Sequence, residues 1–378
     1  MIYLDHAAAT PVSKKALDAM ESYFSTDFFN PSAAYLPAKK VAHDYKEAKA
    51  TIAHAIGAKA SDLVITAGAT EANNLAFTST KGKMLYLETE HDSVRRVAEQ
   101  YGGETIKVLP SGLIDLDDLR KKITDETELI SVSLANNELG TIQPMAEIAG
   151  IIREIKLDRM KRGIKTQLLL HSDASQALNL LDINVARMGI DLLTLNAAKV
   201  YGPKGVGALY VSHEARLKPL TYGGGQENGL RSGTENVPGV IGFSKAVELA
   251  KEHLNGNRKK YASWRKILLT ELQGYELINK KHSLDNFVVL CYNCIDAERL
   301  VFLLEEKGVY VATGAACAAS KGVRSHVLKA ISLSDEQIAG SLRLTLGETN
   351  TEEQIHEAAE IINEIVKNEY KRIKVSSH

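Results

Sequence analysis

Cysteine is scarce in this 378-residue chain, which contains only Cys291, Cys294 and Cys317. Three cysteines are too few for the disulfide framework of a small secreted scaffold, so they favour a reducing compartment. Cys291 and Cys294 have the Cys-x-x-Cys spacing of a redox or metal site, but the chain has no second pair to complete four ligands. Since Cys291 also ends an apolar stretch, we expect this pair to belong to the core, and we predict no metal site.

Neither sign of charge is in excess, because Lys and Arg number 46 against 47 for Asp and Glu. A chain without a basic stretch has no electrostatic basis for binding nucleic acid or a membrane surface directly. No apolar run reaches transmembrane length, and residues 1–6 lack a basic segment followed by an apolar one. We therefore expect a cytoplasmic protein whose partners are small molecules or other proteins.

Strands and helices alternate up to about residue 215, which is typical of βαβ units and a mostly parallel sheet. The predicted strands here cover 62–66, 84–87, 105–109, 129–134, 167–171, 192–195 and 207–211; the predicted helices cover 13–27, 36–57, 70–78, 93–101, 116–123 and 146–161. Further on we predict helices at 237–272, 297–307 and 352–371 and strands at 286–291 and 310–312. The length favours two domains. We predict a large α/β domain at 13–250 and a smaller α+β domain formed by 1–12 and 251–378.

One lysine follows a buried strand and stands among small residues, in Asn196-Ala-Ala-Lys199-Val-Tyr-Gly202. Burial around an ammonium lowers its pKa and makes the amine available for Schiff-base chemistry. The alternative is an ordinary solvated lysine in a loop. Lys204 lies nearby, and this stretch alone does not prefer one lysine over the other.

Polar residues directly after predicted strands are candidates for a ligand site, because ligands of open α/β sheets bind beyond the carboxyl ends of the strands. The turn Gly68-Ala69-Thr70 opens a helix, whose backbone N–H groups can hold a phosphate, although plain helix capping explains it equally well. Asp173 follows a buried strand, where a carboxylate needs a partner. A pyridinium nitrogen would be one, so Asp173 and Lys199 together indicate pyridoxal phosphate, PLP.

The order of these segments resembles that of the cysteine desulfurases, PLP enzymes of the aminotransferase class-V group with the aspartate-aminotransferase fold, fold type I. The resemblance covers nearly the whole chain. The nine residues that follow Cys317 resemble the longer active-site loop of class I members. The matching motifs are Tyr3-Leu-Asp-His-Ala-Ala-Ala-Thr-Pro11, Asn30-Pro-Ser32, Gly68-Ala-Thr-Glu-Ala-Asn-Asn74, Thr89-Glu-His91, Asn136-Asn-Glu-Leu-Gly-Thr-Ile-Gln143, Asp173-Ala-Ser-Gln176, Lys199-Val-Tyr-Gly-Pro-Lys-Gly205, Gly223-Gly-Gly-Gln-Glu227, Arg231-Ser-Gly-Thr-Glu-Asn236 and Gly314-Ala-Ala-Cys317.

The resemblance implies a role for each matching residue. It implies that Lys199 carries PLP as a Schiff base, that Asp173 faces the ring nitrogen and that His91 stacks on the ring. Further cofactor contacts implied in this way are Ala69, Thr70 and Asn196 around the phosphate, Asn137 and Gln176 near the ring, and Thr234 reaching the phosphate from a second subunit. Asn30, Asn137 and Arg343 would bind the substrate L-cysteine. The catalytic residues would be Lys199, His91 and Cys317, whose thiolate would accept sulfur as a persulfide and leave alanine.

The same resemblance implies a homodimer and a sulfur-acceptor protein, such as an iron–sulfur scaffold or a tRNA-thiolation enzyme. One departure from the family pattern concerns the residues before the lysine, where Ser-x-His is usual and this chain has Asn196-Ala197-Ala198. Losing one or two phosphate hydrogen bonds would cost about 1–3 kcal/mol of cofactor affinity. Two alternatives stay open: a selenocysteine lyase, and a non-enzymatic scaffold in which Ala198 has impaired PLP binding.

Overall fold

The structure is a computed structural model that describes residues 1–314 and 324–376. Its strands are β1 (Ile2–Tyr3), β2 (Leu63–Thr66), β3 (Lys83–Leu87), β4 (Glu104–Ile106), β5 (Thr127–Ser131), β6 (Leu169–Asp173), β7 (Leu192–Asn196), β8 (Gly207–Val211), β9 (Glu276–Leu277), β10 (Phe287–Cys291), β11 (Val309–Tyr310), β12 (Ala312–Thr313) and β13 (Ser341–Thr345). Its helices are α1 (Lys14–Ser25), α2 (Leu36–His54), α3 (Ala69–Thr78), α4 (Asp92–Gln100), α5 (Leu116–Lys122), α6 (Met145–Lys161), α7 (Val185–Met188), α8 (Val237–Glu271), α9 (Ala297–Glu306), α10 (His326–Ala330), α11 (Asp335–Ala339) and α12 (Glu352–Ser376).

A seven-stranded sheet with the order β2-β8-β7-β6-β5-β3-β4 forms the centre of the fold. The neighbours from β7 to β4 pair in parallel, whereas β8 runs antiparallel to both β7 and β2. Every residue of β6 is buried, as expected for a strand covered by helices on both faces. The prediction of an α/β fold with a mostly parallel central sheet is therefore confirmed, including the apolar hairpin strand at 207–211.

A second sheet, with the order β12-β13-β10-β9, is antiparallel throughout, and β1 pairs in parallel with β11. The predicted strand at 310–312 is wrong in detail, because the chain leaves one sheet after Tyr310 and joins the other at Ala312. The sequence analysis did not predict β13, which pairs with β10 along its full length.

The division into domains at 13–250 and at 1–12 plus 251–378 remains a proposal. Its support is the distribution of strands, since β2 to β8 fall in the first part and the other strands fall in the second. Helix α8 crosses the proposed boundary and packs against both α1 and α12. None of the helices in the described part of the chain combines the length and the apolar character that crossing a membrane requires.

Side chains cap the starts of several helices. Ser13 caps α1 by accepting the N–H of Ala16, and Asp115 and Asp296 cap α5 and α9 in the same way. Helix α3 differs, because Gly68 stands at its N-cap position and no side chain caps it. This N-terminus opens onto the cavity described next.

Candidate active site

The carboxyl ends of five central strands meet at a cavity of about 750 Å³. The strands β2, β3, β5, β6 and β7 all run in one direction, so their ends lie on the same edge of the sheet. That edge is where ligands of open α/β sheets bind. Residues that end or follow these five strands line the cavity: Gly68, His91, Ala135, Asp173 and Asn196.

Most of the residues predicted from the sequence line this one cavity: Ala69, Thr70, His91, Asn137, Asp173, Gln176, Asn196, Lys199 and Arg343. Asn30 and Thr234 are exposed and do not line it within this chain, and the Oδ1 atom of Asn30 accepts the N–H of Ser32 at 2.9 Å. Cys317 lies outside the described residues. The individual roles of all these residues remain predictions.

Lys199 ends a short 3-10 helix, Ala197–Lys199, directly after β7. Its Nζ atom donates to the carbonyl oxygens of Ala7, at 2.8 Å, and of Ala8. The N-terminal segment is fixed beside the lysine by Thr10, whose N–H and hydroxyl both donate to Ala198 O at 3.2 and 3.1 Å. Lys204, the other candidate, is exposed and does not line the cavity, so the structure favours Lys199 as the reactive amine.

The Asp173 carboxylate is held by two donors at the end of β6. Its Oδ2 atom accepts from Asn73 Nδ2 at 2.9 Å and its Oδ1 atom from the backbone N–H of Ser175 at 2.8 Å. Below it in the sheet, the His171 ring contacts hydroxyl groups on both sides, and burial lowers its pKa to about 4. The imidazole is therefore neutral at physiological pH, so His171 adds no positive charge next to Asp173.

The start of α3 suits a phosphate group. Gly68 has a φ of 150°. Gly207 on β8 packs closely against it, because a Cβ atom added to Gly207 would lie 2.8 Å from the Cα atom of Gly68. Ala69 and Thr70 form the first turn, where backbone N–H groups and the helix dipole favour an anion. Across the cavity, Asn196 uses its Oδ1 atom to accept the N–H of Ala198 at 3.1 Å, which leaves its amide hydrogens as donors to a ligand.

The Arg343 guanidinium is buried at the opposite wall, with 3% of the residue exposed. Its Nη2 atom donates to Asp5 Oδ1 and its Nη1 atom to Asn137 O, both at 2.7 Å. Its Nε atom is buried without a hydrogen-bond partner in the described chain. The sequence analysis missed Asp5, although it stands within the motif Tyr3–Pro11.

Two carboxyl groups in the cavity wall have raised pKa values. Glu90 is fully buried and accepts the N–H of Ser133 at 2.6 Å; burial, together with the nearby charge of Asp173, raises its pKa to about 8. Burial also raises the pKa of Glu138 to about 7, although Ser325 donates to it at 2.5 Å. At neutral pH Glu90 is therefore mainly protonated, and the cavity carries less negative charge than its carboxyl groups suggest.

The residues present fit PLP. The cavity offers an uncapped helix start for a phosphate, a held carboxylate for a ring nitrogen and a primary amine for the aldehyde. Two buried polar atoms in its wall, Ser175 Oγ and Arg343 Nε, have no hydrogen-bond partner within the described chain, as expected where a polar ligand belongs.

Replacing Glu90 by glutamine is expected to stabilise the folded protein increasingly as the pH rises. The folded pKa of about 8 exceeds the ordinary value of 4.5, so the protonated group binds its proton more tightly when folded. The stabilisation this gives is complete at acid pH and is lost as the pH rises through about 8. Glutamine cannot ionise, and its advantage at pH 9 reaches at most about 5 kcal/mol.

Urea unfolding of both proteins at several pH values between about 6 and 9 measures this difference in the free energy of unfolding. Glu360→Gln is the matched control, because Glu360 is exposed on α12 and lacks the burial that raises the pKa of Glu90. A difference between the Glu90→Gln protein and the unmodified protein that stays constant with pH would contradict the raised pKa.

A family model described as "Aminotransferase class-V" matches residues 2–357. The chain belongs to this family. The class-V family consists of PLP-dependent enzymes, so the predictions of an enzyme and of PLP as its cofactor are confirmed. This class-V chain is 38% identical over 384 residues to the "Cysteine desulfurase IscS" of Methanosarcina thermophila, covering 97% of this chain and 92% of the relative.

Solved structures agree with this assignment. The class-V chain matches a "NIFS-LIKE PROTEIN" with a TM-score of 0.89 and 29% identity, covering 97% of this chain and 99% of the other. It also matches a structure described as "SspA in complex with cysteine", with a TM-score of 0.79, 34% identity and coverage of 92% and 99%. The prediction of PLP fold type I is therefore confirmed, together with the recognition of the family.

Proposed function

We propose that this PLP-dependent cysteine desulfurase takes sulfur from L-cysteine at the cavity around Lys199 and releases L-alanine. The observation that carries the proposal is the convergence of Lys199, Asp173, His91 and Arg343 on one cavity. It occurs in a chain whose relatives are named cysteine desulfurases along almost its entire length.

The proposed roles follow from the chemistry of each side chain. When bound, PLP supplies an electron sink that stabilises negative charge at the substrate Cα atom. The Lys199 amine binds the cofactor and afterwards removes the Cα proton, while the Asp173 carboxylate favours a protonated ring nitrogen. Arg343 binds the substrate carboxylate through guanidinium hydrogens that are not used within the chain, and Asp5 and the Asn137 carbonyl hold the guanidinium plane in place.

The sulfur step uses Cys317 as nucleophile. Its thiolate attacks the sulfur atom of the substrate, the carbon–sulfur bond breaks with its electron pair passing to the carbon, and a proton completes alanine. The sulfur remains on Cys317 as a persulfide, so no external oxidant or reductant is needed. A protein that accepts this sulfur completes the cycle, and we propose iron–sulfur cluster assembly or tRNA thiolation as its destination.

We also propose that the enzyme is a cytoplasmic homodimer. Thr234, predicted to reach the phosphate of a second subunit, is exposed and lies outside the cavity of its own chain. Large apolar side chains near the chain start are exposed as well, including Phe24, Phe28 and Leu36. A second copy that covers these residues and receives Thr234 accounts for both observations.

The visible absorbance of the purified protein, before and after L-cysteine is added, tests the proposal together with a measurement of alanine. We expect a cofactor band that changes on addition of cysteine, and alanine in amounts equal to the sulfur released. Turnover of selenocysteine without turnover of cysteine would favour a selenocysteine lyase. Failure to bind added PLP would favour the scaffold alternative suggested by Ala198.

A further inference from the structure

Asn73 on α3 is a fully buried amide that contacts two parts of the site at once. Its Nδ2 atom donates to Asp173 Oδ2 at 2.9 Å and to Ser93 Oγ at 2.9 Å. Ser93 Oγ in turn lies 2.9 Å from His91 Nδ1. A continuous chain of hydrogen bonds therefore joins Asp173, the proposed partner of the ring nitrogen, to His91, the proposed partner of the ring face.

The hydrogen bonds that join Asn73, Ser93 and His91 have a fixed donor direction. His91 Nδ1 accepts the backbone N–H of Ser93 at 3.1 Å, so the proton of the neutral imidazole lies on Nε2. Because Ser93 Oγ accepts from Asn73, its own hydroxyl proton is available to His91 Nδ1. One hydrogen of the Asn73 amide thus bonds Asp173, and the other bonds Ser93, which in turn bonds His91.

The other half of the amide makes no such contact. Asn73 Oδ1 is buried and has no hydrogen-bond partner in the described part of the chain. Burying an unpaired carbonyl oxygen is unfavourable, so the two hydrogen bonds that this amide donates have to offset that cost. Only the donating end is used here: one hydrogen bonds Asp173, and the other bonds Ser93, whose hydroxyl lies beside His91.

We infer that Asn73 is a positioning residue that sets the Asp173 carboxylate and the His91 ring together. The inference rests on the roles proposed above for those two residues. Asn73 itself touches neither cofactor nor substrate in this role. It holds the carboxylate from one side while the N–H of Ser175 holds it from the other, so the orientation of Asp173 is fixed before a cofactor binds.

Two substitutions separate positioning from packing. Asn73→Ala removes both donors. Asn73→Asp keeps the shape of the side chain but replaces the donating nitrogen by an oxygen. The introduced carboxyl group can still donate to Asp173 when it is protonated, whereas it repels Asp173 when it is ionised, so the function of this variant should depend on pH. The titratable groups around the pair, Glu90, His171 and His91, are the same in every variant, so a difference between variants reports on position 73.

The measurements are the dissociation constant of PLP and the visible circular dichroism of the bound cofactor, at about pH 6 and about pH 9. For Asn73→Ala we expect a dissociation constant about 10- to 100-fold higher at both pH values, since a hydrogen bond to a charged group is lost. For Asn73→Asp we expect a smaller loss at the lower pH and a loss of at least about 10-fold at the higher pH, with an altered dichroism band.

Asn286→Ala is the matched control, because Asn286 is a similarly buried amide whose Nδ2 atom bonds Leu346 O and whose Oδ1 atom also lacks a partner within the described residues. It does not line the cavity, and we expect lower stability with unchanged PLP binding. If Asn73→Asp binds PLP as tightly as the unmodified protein at both pH values, or if Asn73→Ala behaves like Asn286→Ala, the inference is overturned. Failure of the unmodified protein to bind PLP would instead overturn the proposed function.

Discussion

Lys199→Ala is expected to lower the rate of sulfide release by about 10⁴-fold or more and to remove the covalent cofactor band. The lysine has two proposed duties, as the amine that binds the cofactor and as the base that removes the Cα proton, and alanine can perform neither. In the structure its Nζ atom lies at the cavity against Ala7 O and Ala8 O. Absorbance spectra and sulfide assays with L-cysteine measure both effects.

Lys204→Ala is the control for this prediction. The residue lies five positions further on, is exposed and does not line the cavity. Its replacement should leave both the cofactor band and the rate unchanged. If Lys204→Ala loses the band and Lys199→Ala keeps it, the assignment of the reactive amine is wrong.

Cys317→Ala is expected to keep the cofactor band but to lower sulfide release to the background rate. Apart from Thr234 of a second subunit, the groups proposed to bind PLP are described residues that line the cavity, so removing the Cys317 thiol should leave them intact. Neither remaining thiol is suited to replace it. Burial raises the pKa of Cys291 to about 11, and a hydrogen bond to Glu336 at 3.1 Å raises the pKa of Cys294. The raised pKa values disfavour the reactive thiolate form, so both residues are poor nucleophiles at neutral pH.

The matched control for the sulfur step is Cys294→Ala, because Cys294 is exposed and lies away from the cavity. This variant should release sulfide at the unmodified rate. The persulfide can be detected directly on the unmodified protein by mass spectrometry after exposure to L-cysteine in the absence of reductant. Sulfide release by Cys317→Ala at the unmodified rate would rule out the proposed persulfide mechanism.

The parallel sheet could be predicted from the sequence because its signals are local. Buried apolar strands alternate with helices of ordinary length, and the predicted ends differ from the observed ones by a few residues at most. The cavity could be predicted for the same reason, since residues after parallel strands share one edge of the sheet. Strand β13 also had a local signal that was overlooked, the alternation of Leu342 and Leu344 with polar residues.

The contacts that complete the site could not be predicted in this way. Asn73 meets Asp173 across 100 positions of the chain, and Ser133 meets Glu90 across 43. Neither spacing in sequence carries a signal, because both contacts exist only after the strands have paired. The pKa of Glu90 likewise depends on burial and on its distance from Asp173, which only the folded chain determines.

The pairing of Asp5 with Arg343 joins positions 338 apart. Because the ribosome synthesises the N-terminus first, Asp5 can pair with Arg343 only after nearly the whole chain has been made. By then the strands that carry Lys199 and Asp173 have long been available to pair. A chain that ends before residue 343 therefore contains Lys199, the amine proposed to bind the cofactor, but lacks the guanidinium proposed to bind the substrate carboxylate.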